Sequence, residues 1–379
     1  MRAIVTFAWL CAWTGCCLAQ STTIVSWNIG PGLEESMLGR QADFAGLDAE
    51  LSPDVVVMVE VIGRTGAEIV ANHLGWSNYH VAVSDLSVPN TAAHEGLEVA
   101  VISKIPMIRV TEYDVKLDGR THKVFGSFGG LQVAEELLTS SGLSQVQPTG
   151  GNDRGTLRVD LANGLTIFPV HLKSNINNAC SDATDANRAL ENMAIDVPAK
   201  LTTAIAQGFA RQVDADKRNA AERERVIAAV KVVADKATAE GRTTIIAGDF
   251  NTSLEQGKAG SAFADCNLQP FECKKAPFPA AACVAGDGFD DTFAILTTPL
   301  IGASAFALLT QGLGRTYKDT AFADAAIDHM AVPAGDQADF KAPTLGCNAG
   351  VDLAQTDWAA KACQLHGSDH FAVVTTYDP

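Results

Sequence analysis

A β-branched and aliphatic run from Thr243 to Ala247 ends in Gly248-Asp249-Phe250-Asn251, and near its end the chain carries Ser368-Asp369-His370. A run of that kind reads as a buried strand, so Asp249 and Asn251 emerge at its C-terminal mouth. Alternation about Phe250 points both polar side chains the same way. A carboxylate beside a carboxamide at a strand mouth suits a hard cation, a water nucleophile, or both. The tail adds a second carboxylate and an imidazole, groups that bind metals and move protons.

Other strand ends carry the same kinds of group. Thr22 to Asn28 runs into a Gly-Pro-Gly loop, so Asn28 closes a strand; Val55 to Val59 is closed by Glu60; and Leu165 to Val170 delivers His171-Leu172-Lys173-Ser174. Further strands are predicted over Leu97–Ser103, with Glu98 near its start, over Thr156–Leu161, at Gly288–Phe293, over Ala326–Val332, which carries Asp328-His329, and over His370–Thr376. Ala162-Asn163-Gly164 is a hairpin signal between two of them. Helices are predicted over Met37–Glu50 and Glu68–Leu74, and over Leu131–Leu138 inside a Gly- and Ser-rich connection spanning Asp118–Asn152. The stretch Asp214–Glu240 places Val226, Ile227, Val230 and Val233 on one face of a charged helix. Strands alternating with helices, plus hairpins, point to a sandwich of mixed sheets rather than one parallel sheet.

Met1-Arg2, an apolar stretch to Trp13 and small residues up to Ala19 have the layout of a secretory signal peptide. The expected organisation is a leader over residues 1–19 and one α/β domain over 20–379, with a secreted or periplasmic destination. Cys16 and Cys17 raise a lipoprotein alternative, which Trp13-Thr14-Gly15 matches poorly. Cys180, Cys266, Cys273, Cys283, Cys347 and Cys363 form an even set without zinc spacing, so disulfides of open pairing are expected in an exported chain. Asn251-Thr252-Ser253 is also a glycosylation pattern, and a glycan there would block the strand mouth.

The net charge of −16 offers no general basic field for wrapping nucleic acid, although a local metal cluster can still bind a phosphate. No phosphate-cradling loop with lysine, zinc-protease helix or nucleophile elbow occurs, so no nucleotide cofactor is expected. Cys180–Asn187 is acidic but lacks the glycine and terminal glutamate of a calcium loop. Phe293–Leu309 is almost wholly apolar yet broken by Pro299 and Gly302; it is read as buried helix, with an exposed patch for lipid as the alternative.

Taken in order, Ser26-Trp27-Asn28-Ile29, Glu60, Val101-Ile102-Ser103-Lys104-Ile105-Pro106, Pro169 to Ser174, Gly248 to Asn251, Ile327-Asp328-His329 and Gly367 to His370 resemble the endonuclease/exonuclease/phosphatase superfamily, which includes deoxyribonuclease I. The resemblance covers most of the chain from Asn28 to His370. It implies a deoxyribonuclease I-like four-layer α/β/β/α sandwich of two mixed β-sheets, with the active site where strand ends meet.

By the same resemblance Glu60 matches the principal Mg²⁺ ligand, with Asn28 and Asp369 completing that region and Mn²⁺ as a possible substitute. Asp249 matches the group that orients or deprotonates water, and Asn251 one that bonds a phosphoryl oxygen. His171 and His370 match the histidines that flank the phosphate, with Asp328 fixing the tautomer of His370. Asn28, Glu98 and Arg154 fall on the phosphate side, Glu98 near an acidic partner of the first histidine and Arg154 near a phosphate-contacting arginine. His329 matches no family role.

The function implied is an exported, Mg²⁺-dependent phosphoesterase that cleaves phosphodiesters by attack of water, with nucleic acid the first substrate and a nuclease the first activity. A sphingomyelinase-like lipid phosphodiesterase, resting on Phe293–Leu309, is the alternative, and a non-catalytic binding protein the second. Each polar position alone has an ordinary explanation as a loop cap, a first solvated residue or a satisfied core histidine. Their joint order is what favours chemistry.

Overall fold

The computed structural model describes residues 21–30, 41–61, 63–84, 98–114, 132–137, 157–172, 223–224, 226–254, 292–300, 302–317, 326–345, 368 and 370–379. In chain order the strands are β1 (Thr22–Asn28), β2 (Val55–Val61), β3 (His80–Val83), β4 (Glu98–Ser103), β5 (Met107–Asp114), β6 (Gln132–Leu137), β7 (Leu157–Leu161), β8 (Leu165–His171), β9 (Thr243–Asp249), β10 (Phe306–Leu308), β11 (Asp328–Pro333), β12 (Thr344–Leu345) and β13 (Val373–Tyr377). Helices α1 (Gln41–Leu51), α2 (Gly63–His73), α3 (226–239) and α4 (Thr292–Thr297) accompany them.

The strands form two mixed sheets, ordered β12-β13-β1-β2-β4-β3 and β10-β11-β9-β8-β7-β5-β6. Their facing sides share one apolar core: Ile24, Val57, Val59 and Val101 from the first sheet meet Val159, Ile167, Ile245 and Met330 from the second. Alternation sends the intervening residues outward. Val25, Trp27, Val56 and Met58 pack with Phe44 and Leu47 of α1 and Ala67 and Val70 of α2. Phe168, Ile246 and Ala331 pack with Ile227, Val230 and Ala234 of α3 and Phe293 and Ile295 of α4. The result is the expected α/β/β/α sandwich.

Each sheet contains a parallel pair joined through a segment that carries a helix, β1 with β2 and β8 with β9. A parallel pair must be joined by a crossover, which a helix on the outer face supplies. The C-terminal ends of these pairs carry Asn28, Glu60, His171 and Asp249, and carboxyl ends of parallel strands are where α/β sheets bind ligands.

Three expectations need correcting. Residues 132–137, expected as helix, are strand β6, which pairs in parallel with β5, opposing Gln132 to Arg109. The open edge of β5 supplies backbone partners that outweigh a helical propensity. Thr292 and Phe293, expected to end a strand, open α4, where Phe293 stacks on Phe250 with centroids 6.0 Å apart. Helix covers only the start of the apolar stretch, which continues into β10. Its large described side chains are packed nonetheless: Phe293, Ile295, Leu296, Leu300, Phe306 and Leu308 are buried in the outer core of the second sheet, and Leu309 is half-buried against the inter-sheet core. The six cysteines of the expected disulfides and residues 1–19 lie outside the described residues.

Candidate active site

In the second sheet the inward stripe of apolar residues runs out at the rim into polar ones. Leu165 and Ile167 lead to His171, Ile245 and Ala247 lead to Asp249, and Val332 and Met330 lead back to Asp328. Register makes these three neighbours, since His171 pairs with Asp249 in parallel and Asp249 with Asp328 in antiparallel. All three are buried. The β8–β9 pairing is tight here: a Cβ on Gly248, whose φ is +147°, would lie 1.9 Å from the Val170 carbonyl oxygen. No other residue type fits there without moving the backbone.

From the facing sheet, Asn28 ends β1 with its Nδ2 lying 3.0 Å from Glu60 Oε1, 3.1 Å from Asp249 Oδ2 and 3.3 Å from His370 Nε2. Its Oδ1 accepts the Gly30 N–H at 2.9 Å, so the amide nitrogen is the end turned to the acids. Ser368 Oγ donates to the Asn28 carbonyl at 2.6 Å and accepts the His370 N–H at 3.0 Å, tying the tail to β1.

Glu60 reaches the same place by a β-bulge. The β2–β4 register is regular from Val55 to Val59 and slips between Val59 and Val61. In an unbroken strand Val59 and Val61 would share a face; here Val59 lies in the inter-sheet core and Val61 in the helix-side core. Glu60 sits between them at φ +63°, a conformation disfavoured for a side chain with a Cβ. The bulge takes it out of the alternation that would have aimed it at the helices, and its carboxylate stands 3.9 Å from His171 Nε2.

His370 is held on several sides. Its Nδ1 lies 2.8 Å from Asp328 Oδ2, its ring sits 4.7 Å from that of Tyr317, and its carbonyl accepts Trp27 Nε1–H at 3.2 Å. Thr316 Oγ1 accepts the N–H groups of Ile327 and Asp328 at 2.9 and 3.1 Å. Donation from Nδ1 to the carboxylate leaves Nε2 facing Asn28 and, at 4.0 Å, Asp249 Oδ2. Asn251, at φ +51°, donates from its backbone N–H to Asp249 Oδ1 at 2.7 Å and from Nδ2 to Asp249 Oδ2 and the Leu172 carbonyl, each at 3.0 Å. With that amide engaged and the residue 5% exposed, the folded site leaves no room for a glycan on the Asn251 pattern.

Burial first, and then repulsion from Asp328, pushes the Asp249 carboxyl up to about 7, against the pull of His370 and the Asn251 N–H. Glu60, Asp249 and Asp328 thus crowd negative charge into one pocket. Among the described residues Asp328 Oδ1 is buried without a hydrogen-bond partner, and Asp249, Asp328 and His370 offer ligand atoms all within 4.8 Å of one another. Crowded carboxylates with a bare oxygen are a donor set that fits a hard divalent cation.

The structure therefore brings together Asn28, Glu60, His171, Asp249, Asn251, Asp328 and His370. Glu98 is buried beside the bulge, paired opposite Val61. Arg154 and Asp369 lie outside the described residues. Thr316 and Tyr317, which brace Asp328 and His370, were not singled out in the sequence, because no strand or motif pattern marks Arg315-Thr316-Tyr317. His329 points away from the pocket into the outer core, where burial pushes its imidazole down to about 4 and keeps it neutral.

No family model matches the chain, and no curated protein matches it. Among solved structures, the chain is similar to an endonuclease/exonuclease/phosphatase from Beutenbergia cavernae, at 14% identity and TM-score 0.46 over 94% of this chain and 71% of that one. It is also similar to a 3' phosphatase from Neisseria bound to a product DNA hairpin and to an AP endonuclease from Archaeoglobus fulgidus. Each of these has 14% identity and TM-score 0.46 over 94% of this chain and 100% of the other. The likeness is one of fold and a distant one.

Proposed function

We propose that the chain is a divalent-metal-dependent phosphoesterase that cleaves phosphodiester bonds by direct attack of water. The observation that carries this reading is the convergence, from both sheets, of Glu60, Asp249 and Asp328 with His171 and His370 around the Asn28 amide. Glu60 would hold the cation, with Asp369 beside it by the resemblance, and Mg²⁺ is the ion we favour for an oxygen-rich set. When bound, it would offset the negative charge that builds on the phosphoryl oxygens.

The remaining work falls to the chain's own groups. Asp249, steadied by Asn28 and Asn251, accepts the proton of the attacking water, for which a carboxyl raised toward neutrality is suited. As the water oxygen bonds to phosphorus and the ester P–O bond breaks, His171 and His370, as imidazolium cations with both ring nitrogens protonated, would donate hydrogen bonds to the oxygens gaining charge. Asp328 holds His370 with Nε2 toward the pocket.

We place nucleic acid first as substrate and a secreted or periplasmic location first as destination. The lipid alternative rests on Phe293–Leu309; the burial of Phe293, Ile295, Leu296, Leu300, Phe306 and Leu308 there is what leads us to place it second. A panel of supercoiled DNA, RNA, sphingomyelin, inositol phosphates and bis(p-nitrophenyl) phosphate, each with Mg²⁺, Mn²⁺ and chelator, tests the reading. Metal-dependent cleavage of DNA or RNA is expected; preference for sphingomyelin would redirect the substrate, and no cleavage of any ester would overturn the reading.

A further inference from the structure

Two neighbours on β11 face opposite ways. Asp328 looks into the pocket, while His329, 1% exposed, lies between Phe250 and Phe293, whose rings meet it edge-on at 5.4 and 4.8 Å. Its ring is nevertheless polar at both ends. Nε2 lies 3.2 Å from the Thr252 carbonyl oxygen, and Nδ1 lies 2.8 Å from Thr310 Oγ1. A carbonyl can only accept, so we assign the proton to Nε2 and let Nδ1 of the neutral ring accept the Thr310 hydroxyl; the Ala326 carbonyl also bonds the ring. Thr310 Oγ1 in turn lies 3.4 Å from the Met330 N–H.

The anchored carbonyl belongs to the residue directly after Asn251. Asn251 holds a left-handed backbone, which asparagine tolerates better than most residues but which still depends on its contacts to persist as a single conformation. From that conformation its N–H and Nδ2 reach the two oxygens of Asp249. An unbroken chain of hydrogen bonds and one short peptide segment thus runs from Thr310 through His329 and Thr252 to Asn251 and Asp249.

We propose that His329 is a positioning residue for Asp249: by holding the Thr252 carbonyl it keeps Asn251 in the left-handed conformation that aims the carboxylate at the attacking water. The proposal rests on the role given to Asp249 above. An aromatic that only filled the outer core would need no proton on Nε2 and no hydroxyl at Nδ1. A ring that positions the site needs both.

His329→Phe keeps the packing between Phe250 and Phe293 and removes the ring's hydrogen bonds, His329→Gln keeps a donor and an acceptor, and Thr310→Val removes the far anchor. With bis(p-nitrophenyl) phosphate and Mg²⁺, His329→Phe is expected to fold, to keep KM within about twofold and to lose about 10- to 100-fold in kcat, the usual cost of removing an outer supporting partner. His329→Gln recovers part of that loss. Thr310→Val lowers kcat in the same direction, and the Phe/Val double variant is no worse than His329→Phe, as expected of groups in one chain.

Wild-type kcat in folded His329→Phe would overturn the proposal, as would equal losses in the Phe and Gln variants. Should His329→Phe fail to fold, Thr310→Val and His329→Gln decide: a kcat unchanged in Thr310→Val contradicts the proposal. Asp249→Ala separates the two levels. If it retains wild-type turnover, the reading of Asp249 fails; if it is inactive while His329→Phe is normal, only this inference fails.

Discussion

Asp249 and Asp328 are direct register partners across the β9–β11 pairing, both 1% exposed and both on the inner face. Two buried acids side by side repel each other unless a proton or a cation intervenes. That conflict is built in by the strand register. It also explains why Asp249 holds its proton toward neutral pH, burial being the larger cause.

Protons and a divalent cation should therefore compete for the pocket. The raised Asp249 carboxyl, at about 7, means that the metal-free protein binds a proton there as pH falls below neutrality. Apparent Mg²⁺ affinity is expected to weaken as pH drops below about 7, and the acid limb of kcat/KM to move to lower pH as Mg²⁺ rises. The stability this group gives the metal-free fold has the matching sign: it is present below about pH 4 and lost as pH rises through about 7. Calorimetric titration of Mg²⁺ across that range checks the coupling, and an affinity independent of pH would refute it.

Asp249→Ala and His370→Ala should each lower kcat by about 10²- to 10⁴-fold, the range for losing a positioned acid or base. Circular dichroism should remain that of the wild type, since both side chains lie at the rim beyond the apolar core. Near-normal turnover in either folded variant would reassign its role.

Glu60 combines backbone strain with the metal-holding role we propose for it. At φ +63°, glycine should be more stable than alanine at this position by about 1 kcal/mol, because only glycine adopts the left-handed region without penalty. Both variants should lose Mg²⁺-dependent turnover. Urea midpoints compare the pair, and an alanine variant as stable as the glycine one would mean that the bulge is unstrained.

Gly248→Ala is expected to cost about 3 kcal/mol or more, or to prevent soluble expression. The added Cβ would meet the Val170 carbonyl oxygen at 1.9 Å, and since the atoms it meets are Val170 backbone there is no flexible side chain to move aside. An unfolding midpoint close to that of the wild type would show that β8 and β9 can separate freely.

The residues that converge on the pocket were legible because each closes a strand, and strand ends follow from apolar runs and the turns that stop them. The facing of the two sheets followed from the alternation of strands with amphipathic segments. What could not be read was where regularity breaks. Val55 to Val61 reads as plain alternation, which would have turned Glu60 toward α1 and α2; the bulge that redirects it exists only in the pairing with β4. Residues 132–137 looked helical because helix and strand compete locally, and the edge of β5 decided the matter. The role of His329 was hidden for a similar reason: its partners Thr252 and Thr310 are neighbours only after β9, β10 and β11 have assembled.

The central claim is that Glu60 and the acids facing it form one metal-dependent hydrolytic pocket. Its most direct test is the turnover of a phosphodiester by the wild type and by Glu60→Gln during a Mg²⁺ titration that begins from full chelation. Wild-type turnover should start at zero and saturate with Mg²⁺, while Glu60→Gln should need at least about tenfold more metal. Turnover that survives complete chelation, or a Glu60→Gln curve that overlays the wild type, would contradict it.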